Sequence, residues 1–208
     1  MKKIISSLIA VIVLVGSLFI STGCEKKTNT IEITQELGKG VFKVSVPKDA
    51  EGNPKYSFTT ERPSEISSFA SYYLVTDTAV FGFSTSGLSY NTSKAYKEKY
   101  GEKKATFDGY LEFIEDEELF NKKILLPGLE QFELNGRKAL RYYNRNGSSG
   151  NYKYFGYFYM IAADDIYPGS KAYVTVNYKL DEKPTEIQEF DEETLAIINS
   201  IKIEAKTE

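Results

Sequence analysis

The chain has 208 residues, 26 of them Lys or Arg and 29 Asp or Glu, for a formal charge of −3, with one cysteine and neither histidine nor tryptophan. Without His there is no Ser-His-Asp triad, Cys-His pair or histidine metal site, and a single Cys excludes an intrachain disulfide or a cysteine-rich zinc site. A mildly acidic chain with no run of four basic residues also lacks the electrostatic footprint of a nucleic-acid binder.

General acid–base work would fall to Asp, Glu, Lys or Tyr, and a protein-held metal would be a hard, oxygen-ligated ion. Neither a metal nor another cofactor is expected.

Residues 1–23 read as an export signal. Lys2 and Lys3 open it, Ile4 to Ile20 is uncharged and mostly apolar, and the small residues Ser21, Thr22 and Gly23 precede Cys24. The 17 apolar-stretch residues would span roughly 25 Å as a helix, slightly short of the roughly 30 Å hydrocarbon core, which favours cleavage over a permanent span. Ser21-Thr22-Gly23-Cys24 resembles the processing site of bacterial lipoproteins, with Ser21 departing from the aliphatic residue usual there. That resemblance implies a lipid on the Cys24 sulfur, cleavage after Gly23, and anchoring at the outer face of the cell membrane. An ordinary signal peptidase acting at the same small residues would instead release a secreted protein with a free thiol. Residues 24–30 are then a polar tether and 31–208 a single domain. The mature chain of 185 residues is long enough for a core of its own and carries 24 basic against 29 acidic residues, a charge of −5.

Strand signals dominate the domain. Val41 to Val46 alternates, with Phe42, Val44 and Val46 on one face, and stops at Pro47. Residues 71–75 and 79–83 are rich in β-formers and predict a hairpin across Thr76-Asp77-Thr78. Phe107, Tyr110, Leu111 and Ile114 have helical spacing after a capping Thr106, and a shorter helix is expected over 93–100, ending at Gly101. Asn135-Gly136 predicts a type I′ hairpin that sets Glu133 opposite Lys138 and Glu130 opposite Arg141. Each such pair contributes about a few tenths of a kcal/mol, but apolar residues on both faces leave the core face of the hairpin open.

Residues 152–161 carry aromatics on both faces, the pattern of a sheet covered on both sides. Residues 171–180 alternate, with Val174, Val176 and Tyr178 expected inward and Thr175, Asn177 and Lys179 outward. A final helix is expected from a capping Asp191, with Phe190 stapled to Leu195 and Ile197, Ile198 and Ile201 as its apolar stripe. The sum is an α+β fold, an antiparallel sheet of six or more strands flanked by a few helices. The strand ending in Val46-Pro47, the aromatic middle strands and the closing run 195–203 resemble the PsbP-like fold. This resemblance implies a sandwich whose members mostly act as binding or accessory subunits, with no catalytic residues carried over.

Ser45-Val46-Pro47-Lys48 has the Ser-x-x-Lys spelling of penicillin-recognising enzymes but lies on a strand, where the two side chains cannot stand one helical turn apart. The segment 82–87 lacks both the spacing of a nucleophile elbow and a His to activate its serines, and reads as a strand-end turn. Among the acidic groups, Asp164-Asp165, in a loop before Pro168-Gly169, is the candidate for ligand or metal binding. No stretch has the spacing of a calcium loop. Tyr142, Tyr143 and Tyr152 flank the loop 146–150 and are expected to be exposed for ligand contact. These features point to a membrane-anchored, non-enzymatic binding or accessory domain with an envelope protein as its partner. Alternatives are an extracytoplasmic hydrolase using carboxylates alone, a ligand- or metal-binding lipoprotein and, less well matched in length, a solute-binding protein.

Overall fold

The computed structural model describes residues 29–63, 70–120, 126–144, 156–178 and 190–207. They form a mixed α+β fold with two antiparallel sheets rather than the one expected. β1 (Thr30–Leu37) and β2 (Gly40–Pro47) make a hairpin, and β10 (Lys202–Ala205) pairs with the free edge of β2. The larger sheet has seven strands. They are β3 (Phe58–Thr59), β4 (Tyr72–Val75), β5 (Ala79–Gly87), β6 (Glu130–Leu134), β7 (Arg137–Asn144), β8 (Gly156–Ala162) and β9 (Ser170–Tyr178), in the order β3-β4-β5-β9-β8-β7-β6.

Between β5 and β6 the chain leaves the sheet and forms α1 (Lys94–Tyr100) and α2 (Phe107–Glu115). Both start where a hydroxyl caps the first turn, Ser93 accepting from the Tyr96 N–H and Thr106 from the Gly109 N–H. α3 (Glu192–Ser200) is capped by Asp191, which accepts from the Thr194 N–H. Among the described residues no helix is long and apolar enough to cross a membrane.

The seven-stranded sheet is covered on both faces. On one, Phe42, Val44 and Val46 of β2, none of them accessible, meet Phe81 and Phe83 of β5, Val174 and Val176 of β9, and the isoleucines of α3. Phe42 and Phe83 stand edge to face at 5.5 Å, a favoured aromatic geometry. On the other face, Leu140 of β7 and Met160 of β8 are buried under Tyr96 of α1 and Phe107 and Ile114 of α2. The β6–β7 hairpin therefore serves both cores, Ala139 facing one and Leu140 the other.

Local expectations and the fold agree at most turns. Asn135 and Gly136 both take positive φ, +47° and +79°, as a type I′ turn requires. The register Glu130↔Arg141 and Glu133↔Lys138 is the one the turn imposes. Glu130 and Arg141 are paired at 2.6 Å, whereas the Lys138 ammonium reaches Asp108 of α2 at 2.8 Å.

Five expectations need correction. The expected outward face of β9 is buried: Thr175 is 1% exposed and Asn177 8%. Its cross-strand neighbours Gly82 and Gly156 have no side chain to hold the surroundings away. A Cβ at Gly82 would sit 2.6 Å from Thr175 Oγ1 and 2.9 Å from the Ala70 Cβ, and one at Gly156 2.7 Å from Asn177 Oδ1. Segment 82–87 continues as strand β5 instead of turning. Ile201 ends α3 rather than lying within it, and the chain re-extends into β10. Phe190 packs on Tyr157, ring centres 5.1 Å apart, whereas its expected staple partner Leu195 is 37% exposed. Thr30, the last residue of the expected tether, pairs with Pro47 as the start of β1.

Candidate functional site

Asp164 and Asp165 lie in the turn between β8 and β9, and their carboxylates serve different partners. Asp164 Oδ2 accepts a 2.7 Å hydrogen bond from the Phe107 N–H at the start of α2, while its Oδ1 is buried with no hydrogen-bond partner among the described residues. Asp165 makes a two-pronged pair with Arg137, Nη1–Oδ1 2.7 Å and Nη2–Oδ2 2.8 Å. Hydrogen bonds from this guanidinium hold the Asp165 carboxyl below its ordinary pKa. Arg137 also donates to the carbonyls of Ala162 (2.9 Å) and Ile203 (3.0 Å). The pair thus ties the loop to β7, β8 and β10, and Asp165 borders a cavity of about 520 Å³ beside Gly38, Lys39 and Lys206.

Three further acidic side chains are engaged as well. Asp116 accepts from Lys99 and from the Tyr100 hydroxyl, Glu118 from Lys99, and Asp191 from Thr194 and Thr78. Among the described residues no three acidic or other metal-ligating side chains converge.

The tyrosines divide. Tyr143 is buried, 4% exposed and edge-on to Tyr157 at 5.4 Å, contrary to the exposure expected of it. Its alternation on β7 places it opposite Tyr142 and into a covered face. Tyr142 is half-buried, its ring 5.1 Å from that of Phe158. Tyr152, Gly23 and Cys24 lie outside the described residues.

A cavity of about 580 Å³ opens on the helix-covered face of the large sheet, and Tyr142 lines it. The strand register builds its floor. Ser84, Tyr173 and Met160 form one row across β5, β9 and β8, and Ser86 stands opposite Lys171 in the next. Period-two alternation brings these side chains to one face. Lys171 is 9% exposed, and its ammonium lies 5.6 Å from the centre of the Tyr110 ring of α2, within cation–π range. No carboxylate among the described residues pairs with it or lines the cavity.

Burial lowers the Lys171 pKa by disfavouring the charged form. The same desolvation pushes Tyr110 up to about 12 and raises Tyr142 and Tyr173, whose hydroxyls also perturb one another. All three are therefore neutral phenols, able to donate hydrogen bonds, at physiological pH. The arrangement can orient a polar ligand and offers it one poorly solvated cation.

Lys171 and Tyr173 are the residues that sequence reasoning passed over. The signal was present. The two-sided aromatic pattern over 152–161 implied a sheet covered on both faces, and the neighbouring strand must share that cover. A lysine on the polar-looking face of β9 is then a buried lysine. Of the segments considered for other chemistry, Ser45 lies in β2, its N–H donating to Ser200 Oγ at 2.8 Å, and Ser84 and Ser86 of segment 82–87 line the cavity. No family model matches the chain, and no curated protein matches its sequence.

Proposed function

We propose that the chain is an exported lipoprotein, held at the outer face of the cell membrane by a lipid on Cys24, whose α+β domain binds a ligand without transforming it. The observation that carries the binding role is the cavity over β5, β7, β8 and β9, with its hydroxyl lining and buried Lys171. A concave site with a few convergent polar groups is the usual form of a small-molecule site. Export and lipidation rest on the charged, apolar and small-residue sequence that ends at Cys24. One acyl group binds membranes only marginally, whereas the multiple chains of a lipoprotein anchor stably. The PsbP-like assignment belongs to the same reading, supported by β2 ending at Val46-Pro47 and by α3 packing against β2 through Ser200 and Ser45.

A carboxylate-only hydrolase would need two free acidic side chains facing one another across a cleft. Asp116, Asp165 and Asp191 are instead held in ion pairs or a helix cap, which favours the binding role.

The test compares the wild-type chain with Cys24→Ala by cell fractionation and intact-mass measurement. The expected wild-type product lacks residues 1–23, carries a lipid mass on Cys24 and stays with the membrane. The Cys24→Ala chain accumulates as precursor or is misplaced. Unchanged processing and membrane retention in that variant would overturn the lipoprotein assignment. In the same cells, crosslinking with capture through a C-terminal tag reads the competing role: a stoichiometric envelope protein lost in Cys24→Ala would replace ligand binding with an accessory-subunit function.

A further inference from the structure

We propose that the cavity over β5 and β9 is a site for a small organic anion, whose carboxylate or phosphate group pairs with the Lys171 ammonium and accepts hydrogen bonds from Tyr142, Tyr173 and Ser84. The proposal rests on the binding role argued above and adds the chemistry of the ligand.

The ammonium is what decides the ligand. Lysine is almost never fully buried unless paired, yet Lys171 is 9% exposed, its ammonium lies 5.6 Å from the Tyr110 ring, and no carboxylate among the described residues pairs with it. A ring face returns part of the lost hydration of a cation, but less than a charge-assisted hydrogen bond. An arriving anion supplies that bond in a setting where surrounding protein weakens solvent screening.

The rest of the lining agrees. Its polar side chains are hydroxyls, which donate to an anion without bringing a competing negative charge. The volume, about 580 Å³, exceeds what a bare phosphate fills, and Met160 with the rings of Tyr142 and Tyr173 offers an apolar wall for an organic body. A neutral ligand would leave the ammonium unpaired in the complex. A cation would meet repulsion.

The experiment is titration calorimetry on the full chain in a non-ionic detergent, with three probes of one shape: benzoate, phenyl phosphate and the uncharged benzamide. Benzoate, phenyl phosphate or both should bind in the millimolar range or tighter, and the better of the two identifies the anionic group. Benzamide should bind at least about tenfold more weakly, the discrimination expected of one charge-assisted hydrogen bond.

Lys171→Met should weaken the anions by about the same factor. It should also raise the melting temperature of the ligand-free chain, because it removes an unpaired buried charge. Tyr173→Phe deletes one hydroxyl, keeps the ring and should weaken the anions several-fold, so the proposal stays testable if the lysine variant fails to fold. The proposal is overturned if neither anion binds at millimolar concentration, if benzamide binds as well as benzoate, or if Lys171→Met binds the anions unchanged. Benzamide binding as well as benzoate would remove the anion preference yet leave a ligand-binding cleft. Failure of Cys24 processing would remove the lipoprotein reading and leave these titrations untouched.

Discussion

Arg137 and Asp165, on β7 and in the β8–β9 turn, face one another with two parallel hydrogen bonds of 2.7 and 2.8 Å. The same guanidinium bonds the carbonyls of Ala162 and Ile203 and so joins both sheets. The two residues are unequal: the Arg137 side chain is 21% exposed and that of Asp165 62%. Arg137→Ala should destabilise the fold by about 2–4 kcal/mol, since it strands two carbonyls as well as a carboxylate. Asp165→Asn should cost less than about 1 kcal/mol, because the exposed end of the pair is screened. Urea denaturation of both variants checks this, and equal losses would mean that the ion pair, rather than the carbonyl bonds, supplies the stability.

Gly109 shows packing overruling helix propensity. Alanine there should favour α2 by up to about 1 kcal/mol on propensity. Its Cβ, however, would overlap the Tyr90 hydroxyl oxygen, which itself bonds the Thr106 carbonyl. Gly109→Ala should therefore lower stability, by about 1–3 kcal/mol. Tyr90→Phe in the same chain should recover much of the loss. A double-mutant cycle with no coupling would show that the two positions do not meet.

Asp116 should titrate far below an ordinary aspartate. Hydrogen bonds from Lys99 and then Tyr100 lower its pKa from 3.8 to about 2. The sign follows from linkage. A carboxyl with a depressed folded-state value contributes stability that is fully present above its unfolded value and lost as pH falls through the folded one. This contribution is complete above about pH 4 and disappears toward pH 2. Carboxyl NMR titration should give a midpoint near 2, moving upward in Lys99→Met. A wild-type midpoint at 3.8 or above would sink the assignment.

Asp191 holds the start of α3 through two acceptors. Oδ1 takes the Thr194 N–H at 2.8 Å, and Oδ2 takes the Thr194 and Thr78 hydroxyls at 2.8 and 2.9 Å. The second contact reaches the β4–β5 turn, so the cap is also a tertiary link. Asp191→Ala should cost about 1–2 kcal/mol, at the upper end for an N-cap. Asp191→Ser, which restores only the local cap, should recover part of it. Thermal melts of the two variants measure the difference, and identical values would deny the Thr78 bond any share.

What the amino-acid sequence determined by itself is the set of features that close within a few residues. The alternation in β2 comes from period-two geometry, the β6–β7 turn from the positive φ that Asn135-Gly136 tolerates, and the three helix starts from Ser93, Thr106 and Asp191 each reaching an N–H three positions on. Their energetics are local, so composition and spacing carry them.

The tertiary structure decided the rest. It divided the strands between two sheets, buried the polar-looking face of β9, sent Asp164 to α2 and Asp165 to Arg137, and set Lys171 beneath Tyr110. Each outcome depends on which remote element packs over a face. A strand's own alternation separates its two sides but does not say whether solvent or a helix lies beyond each. For the candidate site that difference is decisive: the same lysine is an ordinary surface charge if β9 is open, and a desolvated cation in need of an anion once α2 covers it.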